Sequence, residues 1–316
     1  MKSSPLGRSG LSIGQLGFGT WSFCSLHYGE VAESDAHAAL DAFVAGGGNF
    51  IDTAAAYGQS EEVIGRWLQA SGKRDQVVIA SKCPKNDPAT IRAKTEESLR
   101  KLQIDCLDLQ FLHNPPDAVD EMNESLDVLE QLKAEGKIRA IGGSIKGGNV
   151  TDYTVELARQ YINTGRIDAI MLIFSIFRQK LAAIFDEAKQ AQVCLVGRTS
   201  LESGFLGGKY APGHRFPGSF PQGDQRTRWP GDQLDAILAE AQELKQVLVK
   251  PPYQTLGQVA LRFALDQDGL GNVVVGAKNA EQMQANLAVC ELPPLPEAVH
   301  QMLAEHYAQR EDLVNI

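Results

Sequence analysis

The chain runs to 316 residues, 43% hydrophobic and 22% charged, which is the composition of an ordinary folded protein and not of a disordered one. A formal net charge of −9 and a pI near 5.2 oppose a broad basic face for phosphates, so no nucleic-acid partner is expected. The opening MKSSPLGRSG has no apolar core ahead of a cleavage site, and no later run approaches the ~18 apolar residues of a membrane span; a cytoplasmic protein without a membrane partner is the simplest expectation.

The first segment, SSPLGRSGLSI, reads as a small turn-rich plug. Short β-branched runs then alternate with stretches of helical period. QLGFGTW (15–21) precedes SDAHAALDAFVAG, NFIDTA (49–54) precedes SEEVIGRWLQA, QVVIASK (76–82) precedes ATIRAKTEESLRKL, and CLDLQFLH (106–113) precedes EMNESLDVLEQLKAEG. IRAIGGS (138–144) leads to TVELARQYI, IDAIMLIFS (167–175) to LAAIFDEAKQA, VCLVGRTS (193–200) to QVALRFALDQ, and NVVVGAK (272–278) to AEQMQANLAV. Eight βα units with no gap for a linker predict an α/β fold: a single (β/α)8 TIM barrel occupying 1–316, with EAVHQMLAEHYAQRE as an extra C-terminal helix.

The seventh unit breaks the rhythm. GKYAPGHRFPGSFPQGDQRTRWPG, rich in Gly, Pro, Arg and aromatics, is longer than compact domains normally leave unstructured. Phe216, Phe220 and Trp229 give it something to bury, so a lid or cofactor clasp is favoured over disorder.

Barrels of this type build their sites at the C-terminal ends of the strands. There Asp52 and Tyr57 follow strand two, Lys82 ends strand three and His113 ends strand four. Singly, each has an ordinary explanation: a turn cap, a loop aromatic, a solvated rim lysine, a satisfied loop histidine. Jointly, four titratable side chains in one mouth point to a tuned pKa. A free phenol titrates near ~10, and a nearby ammonium is expected to lower that value. Asp52 would hold Lys82 charged, His113 would position a carbonyl oxygen, and Tyr57 would donate the proton while a hydride arrives at carbon.

At this point the sequence resembles the aldo-keto reductase superfamily. GFGTW, NFIDTAAAYGQSEEVIGRWL, IASK, DLQFLHNP, AIGGS, SGFLGGKY and GAKNAEQMQANL are similar to its successive signatures, in order, over essentially the whole chain. The resemblance implies the barrel fold, NADP(H), reversible carbonyl reduction, and a catalytic tetrad of Asp52, Tyr57, Lys82 and His113.

No G-x-G-x-x-G follows a strand, so a Rossmann site is not supported. Barrels often bind phosphate after strands seven and eight at a helix N-terminus. Asn279 can cap the last helix, with Gln282 at its third position, Asn286 one turn on, and Lys278 adding positive charge. By resemblance this region grips the adenosine 2′-phosphate, which makes NADPH preferred over NADH; without the family pattern it would read as an ordinary capped helix. The resemblance also nominates Leu201, Ser203, Gly204 and Lys209 over the pyrophosphate, Arg198 against the nicotinamide, and Gly19, Thr20, Trp21 and Asp52 at the border of cofactor and substrate.

Two departures stand out. Ser144 is retained where members hold the carboxamide, but Ile145 and Met171 replace an Asn and a Gln, and neither offers an amide hydrogen bond. Hydride-transfer efficiency or redox direction is expected to differ accordingly. Asn114 follows His113 where several members place a large aromatic. With WSFCSLHY as one aromatic wall, this favours a hydroxylated or sugar-like carbonyl, with Trp21, Tyr57, His113 and Asn114 as substrate contacts.

Two readings compete with a reductase: a cofactor-binding sensor or regulatory subunit with little turnover, and a sugar-modifying enzyme with transient redox. The five cysteines are odd in number and include no C-x-x-C, and the six histidines form no H-x-H or H-E-x-x-H, so neither a disulfide framework nor a metal is expected. With no long apolar heptad, a monomer is the default, with a homo-oligomer as the alternative.

Overall fold

A computed structural model describes residues 1–24, 29–84, 86–145, 149–216, 224–307, 310 and 313–314. The chain opens with an antiparallel hairpin of β1 (Ser3–Pro5) and β2 (Ser12–Gly14), so the turn-rich plug is in part a β-ribbon. Leu6 and Ile13 of this hairpin are fully buried and pack with the side chains inside the barrel, closing its lower end. Gly7, at φ 57, seats the hairpin: a Cβ there would lie 2.2 Å from the Asp168 carbonyl oxygen.

Eight parallel strands follow: β3 (Leu16–Gly19), β4 (Phe50–Asp52), β5 (Val78–Cys83), β6 (Leu107–His113), β7 (Ile138–Ser144), β8 (Ala169–Ile173), β9 (Cys194–Arg198) and β10 (Asn272–Val275). They pair in chain order, and β10 closes on β3. The (β/α)8 barrel expected from the alternation is therefore the observed one.

Several ladders are shorter than the apolar runs that foretold them. Thr20 and Trp21, expected at the end of the first strand, lie instead in a 3-10 turn, Thr20–Cys24, that follows it.

Side chains alternate across each strand, which makes two cores. Phe50, Val78, Ala80, Leu109, Phe111, Ala140, Ala169, Met171, Val196 and Val274 fill the interior. Ile51, Ile79, Leu112, Ile141, Ile170, Leu172 and Leu195 face the helices. Each fully buried large aliphatic or aromatic side chain contributes roughly 1.5–3 kcal/mol. Gly142 makes room for Phe111, whose ring would lie 2.5 Å from a Cβ at that position.

The helices are α1 (Glu33–Ala45), α2 (Ser60–Ser71), α3 (Pro88–Leu102), α4 (Val119–Ala134), α5 (Asp152–Asn163), α6 (Phe185–Gln190), α7 (Gly231–Leu248), α8 (Leu256–Leu265), α9 (Ala280–Leu287) and α10 (Glu297–Tyr307). Local chemistry sets their ends. Asp87 caps α3 ahead of Pro88, Thr151 and Thr154 form a capping box on α5, and Gly72 ends α2 in the left-handed conformation. The extra C-terminal helix is α10.

Helix α7 is the element that sequence reading missed. Leu234, Ile237, Leu238, Ala241 and Leu244 give it a buried stripe at helical spacing, but a second helix after β9 departs from the rule of one helix per strand. Among the described residues no helix is long and apolar enough to cross a membrane.

Candidate active site

The two-residue period that fills the interior also builds the mouth. On β4 the inward Phe50 is followed by Asp52, on β5 Val78 and Ala80 by Lys82, and on β6 Leu109 and Phe111 by His113. On β7 and β9 the same step reaches Ser144 and Arg198, and His113 stands in register with Ser144. A ring of polar groups thus caps an apolar barrel.

Asp52 and Lys82 are both buried, and Lys82 Nζ lies 2.6 Å from Asp52 Oδ1 and 2.7 Å from Oδ2. The Oδ2 contact has hydrogen-bond alignment, and the Oδ1 contact is Coulombic. The ammonium also donates to the Thr53 carbonyl at 2.8 Å and to the Tyr57 hydroxyl at 3.2 Å. Tyr57 stacks on Trp21 at 5.3 Å between ring centroids and meets His113 edge-on at 6.2 Å. The four expected residues therefore converge.

The turn carrying Tyr57 is fixed by three hydroxyls, of which sequence reasoning singled out Thr20 alone, and that for the cofactor border. Thr20 Oγ1 donates to the Asp52 carbonyl at 2.9 Å and lies 2.8 Å from Ser60 Oγ, which accepts from Thr53 Oγ1 at 3.0 Å. All three side chains are buried, and Ser60 N–H donates to the Tyr57 carbonyl at 3.0 Å. The available signal was Ser60 at the start of α2, which also reads as an ordinary helix start.

Burial lowers the His113 pKa to about 3, with the charges of Lys82 and Arg198 adding to the effect, so the imidazole is neutral. Burial works against the Lys82 ammonium, but Asp52 and Tyr57 outweigh it and the pKa is raised. Tyr57 corrects an expectation. Lys82 does favour phenolate, yet burial and the Asp52 charge prevail and the phenol pKa is raised, not lowered. The mouth therefore presents a protonated phenol between an ammonium and a neutral imidazole, an arrangement able to deliver a proton to an oxygen.

Beside this set, Arg198 donates to the Ile145 carbonyl at 3.3 Å. Ile145 is buried in the outer core and Met171 in the interior, both closely packed. Beyond Arg198 the backbone turns sharply, with Thr199, Glu202, Ser203 and Gly204 at φ 66, 45, 55 and 94. Leu201 packs against the core, Ser203 and Gly204 are partly buried, and Lys209 is exposed.

Across the mouth, partly buried Gly19 at the end of β3 and exposed Gly276 just past β10 present backbone without side chains, and a Cβ on Gly276 would meet the Gly19 carbonyl oxygen at an ordinary contact distance of 3.6 Å. Beyond Gly276, Asn279 Oδ1 accepts from Gln282 N–H at 3.0 Å, and Gln282 Oε1 accepts from Lys278 N–H at 3.0 Å. This closes the cap on α9. Asn286 Nδ2 donates to the Gly276 carbonyl at 3.2 Å, and Lys278 is partly buried with its pKa lowered by burial and then by nearby Arg226.

Arg226 belongs to the long seventh loop. It pairs with buried Asp224, donates to the Tyr210 hydroxyl at 3.1 Å and stands 3.9 Å over the Phe216 ring. Phe216 and Trp229 both pack on Phe205, so the described part of the loop is folded onto the barrel. Phe220, and His27 and Tyr28 of the expected aromatic wall, lie outside the described residues. Asn114 is exposed at φ 60, its carbonyl accepting from Asn86 Nδ2 at 2.9 Å.

Comparison with known proteins agrees with this geometry. The profile of the Aldo/keto reductase family matches residues 15–308. Aldo-keto reductase YhdN of Bacillus subtilis is 29% identical, with 90% of this chain and 87% of that protein aligned. The NADH-specific methylglyoxal reductase of Escherichia coli is 27% identical over 92% of this chain and 94% of that protein. The solved holo form of an aldo-keto reductase from Bacillus halodurans superposes with a TM-score of 0.77 at 26% identity, covering 98% of this chain and 99% of that one. A profile match over nearly the whole chain, a structural likeness of the same extent and a barrel mouth of this composition lead to one conclusion: the chain belongs to the aldo/keto reductase family of oxidoreductases.

Proposed function

We propose that this protein is an NADPH-dependent reductase of an aldehyde, ketone or keto-sugar, with Tyr57 as proton donor. The observation that carries the reading is the Tyr57 hydroxyl, 3.2 Å from a lysine ammonium that is itself paired with buried Asp52.

The residues present fit a nicotinamide dinucleotide. Gly19 and exposed Gly276 leave backbone without side chains for a flat ring to approach, and the capped N-terminus of α9 with Lys278 would offer donors and positive charge to an anion. Gly19, Thr20, Trp21, Asp52, Ser144, Arg198, Leu201, Ser203, Gly204, Lys209, Lys278, Gln282 and Asn286 are the residues proposed to hold it. When bound, the cofactor supplies the hydride.

The protein's own side chains do the rest. Neutral His113 donates one N–H to the substrate carbonyl oxygen and orients it. Tyr57, protonated because burial raises its pKa, gives up its proton as negative charge develops on that oxygen. Lys82 stabilises the resulting phenolate, and Asp52 keeps Lys82 charged and in place.

The preference for NADPH rests on Lys278, a cation at the N-terminus of α9 suited to a 2′-phosphate; nearby Arg226 is already paired with Asp224. Because one relative is named NADH-specific, this choice belongs to the present chain's residues and not to its family. Exposed Asn114 next to His113 would offer an amide to a substrate at the mouth, which favours hydroxylated substrates.

The deciding experiment is NADPH oxidation across a panel of aldehydes, ketones and keto-sugars, with Tyr57→Phe in parallel. Turnover that disappears in the variant while NADPH binding persists supports the reading. Tight NADPH binding with no turnover on any carbonyl would favour a sensor instead.

A further inference from the structure

The buried ion pair of Arg178 and Glu202 has no part in the mechanism. Arg178 and Glu202 are 4% and 1% exposed, and Arg178 reaches both carboxylate oxygens, Nε to Oε1 at 3.1 Å and Nη2 to Oε2 at 2.7 Å. Ser175 Oγ donates to the same carboxylate and accepts from the N–H groups of Phe177 and Arg178. Ser200 Oγ adds a bond to the Phe174 carbonyl at 3.0 Å.

These contacts staple the turn after β8 to the turn after β9. The second turn needs the staple. Glu202 and Ser203 hold left-handed backbone at φ 45 and 55, a conformation that costs a side-chain-bearing residue energy and persists only where its surroundings impose it. Anchoring the Glu202 side chain imposes it on Glu202 directly and on Ser203 through the adjoining peptide.

We propose that the Arg178–Glu202 pair is a positioning device for cofactor binding, setting the 199–204 turn in the shape that receives the dinucleotide's phosphates. The inference rests on the assignment of that turn to the cofactor. The pair itself is sealed away from any ligand, so its influence passes through the backbone of Leu201, Ser203 and Gly204. It also flanks Arg198, on whose guanidinium Arg178 and Glu202 act in opposite senses.

A buried ion pair and a packed apolar pair of similar volume often confer comparable stability. That separates positioning from structural support. In Arg178→Met/Glu202→Met the melting temperature should stay near that of the parent, while the Kd for NADPH, read by quenching of protein fluorescence, rises roughly tenfold. The cofactor KM should rise by a larger factor than kcat falls. Arg178→Lys, which keeps the charge but loses the two-pronged contact, covers the case in which the double variant does not fold, and it should raise Kd in the same direction.

If the parent binds NADPH and the folded variants bind it equally well, the pair is structural and the inference fails while the cofactor reading stands. If the parent binds neither NADPH nor NADH, the cofactor reading and the inference fall together.

Discussion

Lys82 Nζ stands within 2.7 Å of both carboxylate oxygens of Asp52, across neighbouring strands β5 and β4, with neither side chain open to solvent. A buried charge with one compensating partner is stable only while that partner keeps its charge. Asp52→Asn should therefore cost about 3–5 kcal/mol, because it strands the ammonium. Urea unfolding is the measurement, and a change below ~1 kcal/mol would mean that Lys82 is neutral in the folded protein.

The pH dependence of reduction follows from two opposite shifts. Tyr57 must be protonated to act as an acid, and its pKa is raised above the usual 10.0, so the acid form persists through neutral and mildly alkaline pH. His113, lowered to about 3, stays neutral as the pH falls through 6.5. The kcat/KM for reduction should be flat across pH 6.5 and decline only at alkaline pH. Oxidation of an alcohol, which needs phenolate, should rise with pH. An inflection near 6.5 that disappears in His113→Gln would show that the imidazole titrates normally.

The same histidine affects stability with a definite sign. Between about 3 and 6.5 the unfolded chain holds a proton on residue 113 that the folded chain does not, so this group's contribution to stability is lost as the pH falls through that window. Comparing melting temperatures of the parent and His113→Gln at pH 4.5 and pH 7.5 isolates it; the parent should lose more on acidification.

Lys278→Glu reverses the charge beside the capped N-terminus of α9. It should weaken NADPH by roughly tenfold or more and NADH by much less, since only the former carries the 2′-phosphate. Equal effects on the two cofactors, read from their Kd values, would remove the 2′-phosphate from this end of the site.

Met171, where the family resemblance implies an amide, is buried within the barrel among residues such as Ala169 and Val196. Met171→Gln would place up to four hydrogen-bonding positions in that apolar setting. Stability should fall by about 1–3 kcal/mol with no gain in turnover. A rise in kcat would show instead that the amide reaches the mouth and that its absence limits the parent.

The sequence by itself determined the barrel, because burying each strand on both faces while changing to helical period between strands leaves a pattern that local reading recovers. It also determined that Asp52, Lys82 and His113 share the mouth, since a two-residue step from Phe50, Ala80 and Phe111 allows no other side. Tertiary structure alone decided the rest. The sign of the Tyr57 shift depends on how deeply neighbouring loops bury the phenol and on the balance of Lys82 against Asp52. Arg178 with Glu202, and Thr20 with Ser60 and Thr53, are partners 24 and up to 40 residues apart with no periodic relation in the chain. Helix α7 breaks the one-helix-per-strand order. Periodicity reports what each residue does among its chain neighbours, whereas the groups that set charge and loop shape in this mouth meet only when separate strand ends close into a ring.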